Sequence, residues 1–193
     1  MTLALDDASD GELAALARSG TQAAYRVLAE RHREAVYRLV RSATGDADEA
    51  MDVTQETLIS AFGALDRYDP ARPFRAWIAR IALNKAHDWR RRRAVRRLFS
   101  FGMPDHAAHS VPDEAVGADR TAEDRQKLLH VSAAIASLSP RLKEALLLRT
   151  IEDMSQAEVA ATLGVSEKTV ETRLYRARQK LNEALREDVP RRV

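Results

Sequence analysis

Apolar positions along most of this chain recur at intervals of three and four, the period of a helix with one buried face. The stripe Tyr25, Leu28, Ala29, His32, Val36, Leu39 and Val40 predicts a helix from about Gln22 to Ala43, ended by Gly45. A short helix is expected before it, from Gly11 to Arg18, capped by Asp10 and stopped by Gly20. Asp46 and Glu49 make a capping-box-like start to a third, whose stripe is Ala50, Val53, Thr57, Leu58, Ala61, Phe62 and Leu65. Pro70 and Pro73 break that pattern, because proline removes a donor and clashes inside a helix. A fourth helix follows from Phe74 to about Arg93, with Phe74, Trp77, Ile78, Ile81 and Ala82 inward and Trp89 partly so.

Periodicity is lost from Leu98 to about Arg120, where Gly102, Pro104, Pro112 and Gly117 fall, and this stretch reads as a linker. A second helical group starts near Thr121, with Leu128, Val131, Ile135 and Leu138 on one face. Ser139-Pro140 opens the next helix, with Leu142, Ala145 and Leu146 inward. Further starts stand at Ser155-x-x-Glu158, a capping box, and at Ser166. No segment reads as a strand. The expected fold is all-α: a four-helix bundle over residues 1–97, a flexible linker over 98–120 and a helix-turn-helix domain over 121–193.

Aromatics are only 5% of the 193 residues, which favours Ala/Leu-rich helical packing over a sandwich or barrel. The absence of cysteine excludes disulfides, thiol nucleophiles and thiolate metal sites. Residues 1–10 lack a basic region of the secretory type, and no apolar run reaches the ~18–20 residues of a membrane span. A cytoplasmic protein is expected.

The formal net charge of +2 hides a sharp pattern. Residues 1–70 carry 7 basic and 13 acidic side chains, whereas 71–97 carry 10 basic and 1 acidic. Two surfaces with two different partners are implied, one of them polyanionic.

The sharpest local signal runs from Ser155 to Arg178. Leu163-Gly164-Val165 forms a tight turn, and Gly164 suits the φ > 0 exit of a helix. Ser166 caps the next helix, which Val170, Leu174, Ala177, Leu181 and Leu185 bury. Glu167, Lys168, Thr169, Glu171, Thr172, Arg173 and Arg176 are left facing out, as on a recognition helix in a major groove. A plain helical hairpin with solvated cations shares much of this pattern.

Arg80, Lys85, Arg90, Arg91, Arg92, Arg93, Arg96 and Arg97 crowd the fourth helix, opposed within it only by Asp88. Like charges at helical spacing repel, so a neutralising polyanion is expected. Tyr68, Phe74, Trp77 and Trp89 stand beside this block, and aromatics beside a basic groove can stack unpaired bases. Trp77, at helical spacing, reads first as core. Tyr68, in a proline-flanked loop, fits either role.

Other classes have less support. His106-x-x-His109 lies in the irregular stretch and supplies too few ligands for a tetrahedral metal site. No glycine-rich phosphate loop is present, so neither enzyme activity nor any cofactor is expected. A two-component-type activator would share the C-terminal pattern, yet residues 1–97 read as four helices and not as a receiver's alternating strands.

Together these segments resemble the extracytoplasmic-function (ECF) group of sigma-70 factors over nearly the whole chain. Asp52-Val-Thr-Gln55-Glu56-Thr-Leu-Ile59 is similar to the segment that grips the β′ coiled coil of RNA polymerase. Phe74-x-x-Trp77-Ile-x-x-Ile81-Ala-x-Asn84-x-x-x-Asp88-x-x-Arg91-Arg92 resembles the segment that melts and reads the −10 element. Asp66–Pro73 falls where the family captures a flipped-out base. Leu138-Ser-Pro140 through Leu181 resembles the −35-reading module, with Thr172-Arg-Leu-Tyr-Arg-Ala-Arg178 as its most specific string.

The resemblance implies core RNA polymerase, through its β′ and β subunits, as a partner, with core-polymerase contacts from Asp52, Gln55, Glu56 and Ile59. It implies −10 contacts from Tyr68, Asp69, Arg72, Phe74, Trp77, Asn84, Lys85, Asp88, Arg91 and Arg92. For the −35 element it implies Arg149, Ser166, Lys168, Thr169, Glu171, Thr172, Arg173, Tyr175 and Arg176. Glu171 either accepts from a cytosine amino group or turns away from phosphate. Control by an anti-sigma factor is also implied.

The 23 residues of the linker, 98–120, reach at most about 75–80 Å when extended and about 25–28 Å as a coil. Elements roughly two turns apart, at ~34 Å per turn, require that tether to be nearly stretched. Weak DNA binding in the absence of core enzyme is expected.

Overall fold

The computed structural model describes residues 5–99 and 122–187. They form eight α-helices: α1 (Asp10–Arg18), α2 (Gln22–Thr44), α3 (Ala47–Gly63), α4 (Phe74–Phe99), α5 (Ala122–Ser137), α6 (Pro140–Thr150), α7 (Gln156–Leu163) and α8 (Glu167–Glu187). Short 3-10 turns at Leu5–Asp7 and Leu65–Arg67 complete the described elements, and no strand occurs among them. Most of the expected linker, with His106 and His109, lies outside the described residues. Its first two positions extend α4 to Phe99, past the expected end near Arg93.

Local chemistry sets the helix boundaries. Ser9, not Asp10, caps α1, in a capping box with Glu12. This leaves Asp10 free to bridge to α2, where its carboxylate takes Arg31 Nη1 at 2.6 Å and His32 Nε2 at 2.8 Å. Those partners, His32 foremost and then Arg31, hold the Asp10 carboxyl below its ordinary range against its partial burial. His32, expected as an ordinary stripe residue, is a buried polar link. Asp46 caps α3 by accepting from the Glu49 amide, but Glu49 does not close the box. Its side chain instead accepts from Trp89 Nε1 of α4.

In the N-terminal half, α2, α3 and α4 pack on one another, and α1 lies across α2. Leu13, Leu28, Leu39, Val40, Val53, Phe74 and Leu83 are almost wholly buried. Each such side chain contributes about 1.5–3 kcal/mol of burial. Trp89 is also in the core, at 4% exposure, deeper than its place in the sequence suggests.

The C-terminal half is organised around α6, whose residues Leu142 to Leu148 are all buried, Lys143 and Glu144 included. A helix buried on every side, as this stretch is, needs neighbours on every side. Leu142 and Leu146 pack with Leu138 and Ala177 in one cluster. Ala145, Leu147 and Leu148 join a different one, which also holds Met154, Val159, Val170 and Leu174 together with Leu28, Val36, Phe74 and Ile78. That second cluster runs through both halves. The two helical domains also touch: α5 and α6 pack against α2, and α7 packs against α4. Leu128 and Val131, expected inward on α5, are 41% and 38% exposed, and Leu185 near the end of α8 is 36% exposed.

Candidate nucleic-acid and polymerase interfaces

The α7–α8 unit is built from its caps upward. Ser155 and Glu158 form a reciprocal capping box at the start of α7. Gly164 ends the helix with φ 66°, and a Cβ there would meet nothing within 4 Å. The glycine therefore answers a backbone demand and not a steric one. Ser166 Oγ accepts from the Thr169 amide at 3.2 Å and starts α8. Val170, Leu174 and Ala177 bury one face of α8 against α6 and α7.

The opposite face is open. Ser166, Lys168, Glu171, Thr172, Tyr175 and Arg176 are exposed, and Thr169 and Arg173 are half-buried. Tyr175 is 61% exposed, far more than a packing role allows. Lys168 Nζ donates to Glu171 Oε2 at 2.8 Å, so the carboxylate that the sequence left open is paired on the helix surface. Thr172 Oγ1 donates back to the Lys168 carbonyl at 2.9 Å. Gln156, Lys168, Glu171, Thr172, Tyr175 and Arg178 line a shallow concavity on this face. Arg149 stands apart from it. Its guanidinium donates to the Met154 carbonyl at 3.1 Å and lies 3.5 Å from Asp153, holding the turn between α6 and α7. Asp153 has φ 46°, a left-handed conformation that aspartate tolerates better than most side chains.

On α4 the candidate residues divide into two groups. Asn84, Asp88, Arg91 and Arg92 are exposed and Lys85 is half-buried, and Asp69 and Arg72 are exposed in the preceding loop. Phe74 and Tyr68 are core residues, at 2% and 5% exposure. The Phe74 ring sits 4.9 Å from His32, 5.1 Å from Tyr68 and 5.3 Å from Trp77. Tyr68 Oη donates to the Arg72 carbonyl at 2.8 Å, and burial pushes its hydroxyl pKa up. Both residues, expected among the −10 contacts, lie buried beneath the loop and the start of α4. Trp77 is half-buried on the rim of the same cluster.

The basic helix is not left to repel itself. Arg92 Nη2 lies 3.4 Å from Glu56, Arg93 Nη1 lies 3.3 Å from Asp46, and Arg91 Nη2 lies 3.2 Å from Asp88. Arg93 also stacks 5.1 Å over the Trp89 ring. Glu56 of α3 and its N-cap Asp46 thus neutralise two of these cations, Arg92 and Arg93, because the acidic first third folds against the basic block. Of the candidate polymerase contacts on α3, Asp52, Gln55 and Ile59 are exposed and Glu56 is half-buried. Ile59 at 64% and Met51 at 56% are among the most exposed large apolar side chains of the described residues.

Comparison with known proteins assigns these two halves. Residues 28–96 match Sigma-70 region 2, and residues 128–181 match Sigma-70, region 4. The RNA polymerase sigma factor CnrH of Cupriavidus metallidurans is 40% identical over 184 residues, covering 93% of this chain and 96% of CnrH. The ECF RNA polymerase sigma factor SigE of Mycolicibacterium smegmatis is 35% identical over 170 residues, 86% of this chain and 65% of SigE. The chain belongs to the ECF sigma factors of the sigma-70 family.

The solved structure of CnrH in complex with the cytosolic domain of CnrY superposes with a TM-score of 0.69 at 37% identity, over 93% of this chain and 98% of that one. Region 2 thus comprises most of α2, together with α3 and most of α4, and region 4 runs from within α5 into α8. As an ECF sigma factor the chain is a transcription initiation factor that directs core RNA polymerase to promoters. The receiver-type activator is set aside, since the region that would hold the receiver is region 2. No helix among the described residues is long and apolar enough to cross a membrane.

Proposed function

We propose that residues 1–97 and 121–193 act as two recognition modules of this sigma factor, the first for core polymerase and the −10 element and the second for the −35 element. The observation that carries the reading is the polar face of α8, presented just after a capped, glycine-ended α7 while the other face is buried. Lys168, Glu171, Thr172, Tyr175 and Arg176 would enter the major groove, with Ser166, Thr169 and Arg173 nearer its wall. Arg149 would act chiefly by holding the turn beneath them.

On region 2, Asp69, Arg72, Asn84, Lys85, Asp88, Arg91 and Arg92 would meet the −10 element, with Trp77 at the edge and Tyr68 and Phe74 as its support. Asp52, Gln55, Glu56 and the exposed Ile59 would dock on the β′ subunit, and region 4 on β. The chain would act in the cytoplasm, with no chemistry and no cofactor of its own. An anti-sigma factor would control it, by analogy with CnrH, solved in complex with the cytosolic domain of CnrY.

Purified chain added to core polymerase should start transcription at a restricted promoter set, in run-off assays on mapped templates. No transcript from any template that carries both elements would sink the reading.

A further inference from the structure

The loop that joins α3 to α4 is held from below by a polar network rooted in α1. Because Ser9 takes the cap of α1, the Asp10 carboxylate is free to meet α2, accepting from Arg31 Nη1 at 2.6 Å and pairing with His32 Nε2 at 2.8 Å. Arg31 also donates to the carbonyls of Ala8 and Asp6, at 3.0 and 3.1 Å, and so ties the chain ahead of α1 to the same point. Buried His32 carries the contact inward: its ring stands 4.9 Å from Phe74, which Tyr68 meets edge-on at 5.1 Å. Tyr68 Oη then donates to the Arg72 carbonyl at 2.8 Å, on the loop backbone. Pro70 lies over the first turn of α1, its Cβ 4.0 Å from where a Cβ on Gly11 would stand. Burial first, and then the Asp10 charge, raise the Tyr68 hydroxyl pKa, so the carboxylate is within electrostatic reach of the loop's support.

This arrangement exceeds what packing alone requires. A largely buried ion pair seldom stabilises more than apolar side chains of the same volume, and its better-attested use is to fix one conformation among several. Contacts between rings tolerate sliding; the directed bonds at the two ends, Asp10 to His32 and Tyr68 to Arg72, do not. Above them, Asp69, Pro70, Ala71, Arg72 and Pro73 are all exposed. Within the loop, Asp69 Oδ1 accepts from the Ala71 amide and the Asp69 carbonyl from the Arg72 amide, both at 3.0 Å. An exposed loop that must grip a ligand gains from being shaped beforehand, since ordering it on contact would weaken binding.

We propose that Asp10 and His32 are positioning residues for −10 recognition. Through Phe74 and Tyr68 they set the shape of the Asp66–Pro73 loop, and with it the discrimination between bases at the promoter position this loop meets. They act from beneath the loop and not by contact with DNA. The inference rests on the reading of that loop as a −10 contact, and the experiment separates the two.

Holoenzyme assembled from core polymerase and the full chain is assayed by run-off transcription. Each tube holds a mapped promoter and a copy, of different run-off length, with one base changed in the −10 or −35 element. The ratio of the two outputs divides out the folded fraction, so a variant that is merely less stable leaves it unchanged. Asp10→Asn keeps the size of the side chain and removes its charge. It should lower the largest −10 ratio by about three- to tenfold, with the −35 ratios unchanged. Tyr68→Phe removes only the bond to the Arg72 carbonyl and should lower the same ratio. Asp10→Asn should add little to it, because both act along one line of contacts. Arg72→Ala examines the underlying reading: if it leaves every −10 ratio unchanged, the loop does not read that element, and the positioning role falls with it. If Arg72→Ala lowers a −10 ratio while Asp10→Asn does not, the positioning role alone is overturned. Equal losses at −10 and −35 bases, or effects of Asp10→Asn and Tyr68→Phe that simply add, overturn it as well.

Discussion

Arg92 on α4 lies 3.4 Å from Glu56 on α3, so a residue assigned to promoter DNA is paired with one assigned to polymerase. Both side chains are about half exposed, at 54% and 44%. Such a pair is worth under about 1 kcal/mol to the fold. The two proposed binding surfaces therefore meet at a contact that either partner could displace at little cost.

The first prediction follows from that pair. Gln55→Ala with Glu56→Ala should change unfolding free energy by less than about 1 kcal/mol yet weaken binding to core polymerase several-fold. Titration of labelled chain with core enzyme, beside urea melts, separates the two effects. Unchanged core affinity would remove α3 as the docking helix.

Arg176 makes a separate case, because it stands exposed on the outer face of α8. Arg176→Ala should lower −35-dependent output by about fivefold or more, on the order of 1 kcal/mol. If the contact is to phosphate, the log–log salt slope should also fall by about one. Equal binding across a salt series would place the groove-facing surface elsewhere.

Two glycines should respond in opposite ways. Gly164→Ala forces a left-handed backbone on alanine, costing about 1–2 kcal/mol with no clash involved. Gly63→Ala sits at the end of α3, where nothing lies within 4 Å and φ is ordinary, and should be neutral or stabilising by up to ~1 kcal/mol. Thermal melts of the two variants give the comparison directly.

Leu148 is fully buried in the cluster that both halves share. Leu148→Ala should cost about 2–5 kcal/mol. Because that cluster is common, probes in region 2 and region 4 should report one transition midpoint and not two. Separate midpoints in the parent protein would show that the halves fold independently.

Lys143 supplies a pH test. Burial, and then the charge of Arg90, hold its ammonium pKa down to about 8. In the unfolded chain it returns to about 10.4. Between those values the unfolded state binds more protons, so this group's contribution raises stability as pH rises from 8 towards 10. Lys143→Met should lose that gain, visible as a smaller change in urea midpoint between pH 7 and pH 9. An identical pH response in both proteins would show that Lys143 is not held as described.

How much was legible in the sequence depended on whether a signal was local. Three-four spacing, the serine caps at Ser155 and Ser166 and the αL demand at Gly164 are properties of a few neighbouring residues, and they placed α7 and α8 almost as found. The order of the Asp52, Trp77 and Thr172 segments carried the family. The sequence could not say that Glu49 would leave its cap for Trp89, 40 positions away, or that Glu56 of α3 would pair with Arg92 of α4. Aromatics beside cations fit two roles in sequence, and only the packing shows that Tyr68 and Phe74 are buried.

The deepest division concerns α6. Leu142, Ala145 and Leu146 mark one helical face, and that face was enough to place the helix in its own bundle. Leu147 and Leu148 continue the apolar surface around the helix, a signal for a second neighbour that the spacing alone does not name. Which neighbour it is depends on α2, about a hundred positions of chain away, and on α7 against α4, where Arg75 meets Glu158 across 83 positions. Helix periods and caps are written in short-range sequence; the closure of one half on the other is a balance of buried apolar area against desolvated charge, and that exists only once the chain has folded.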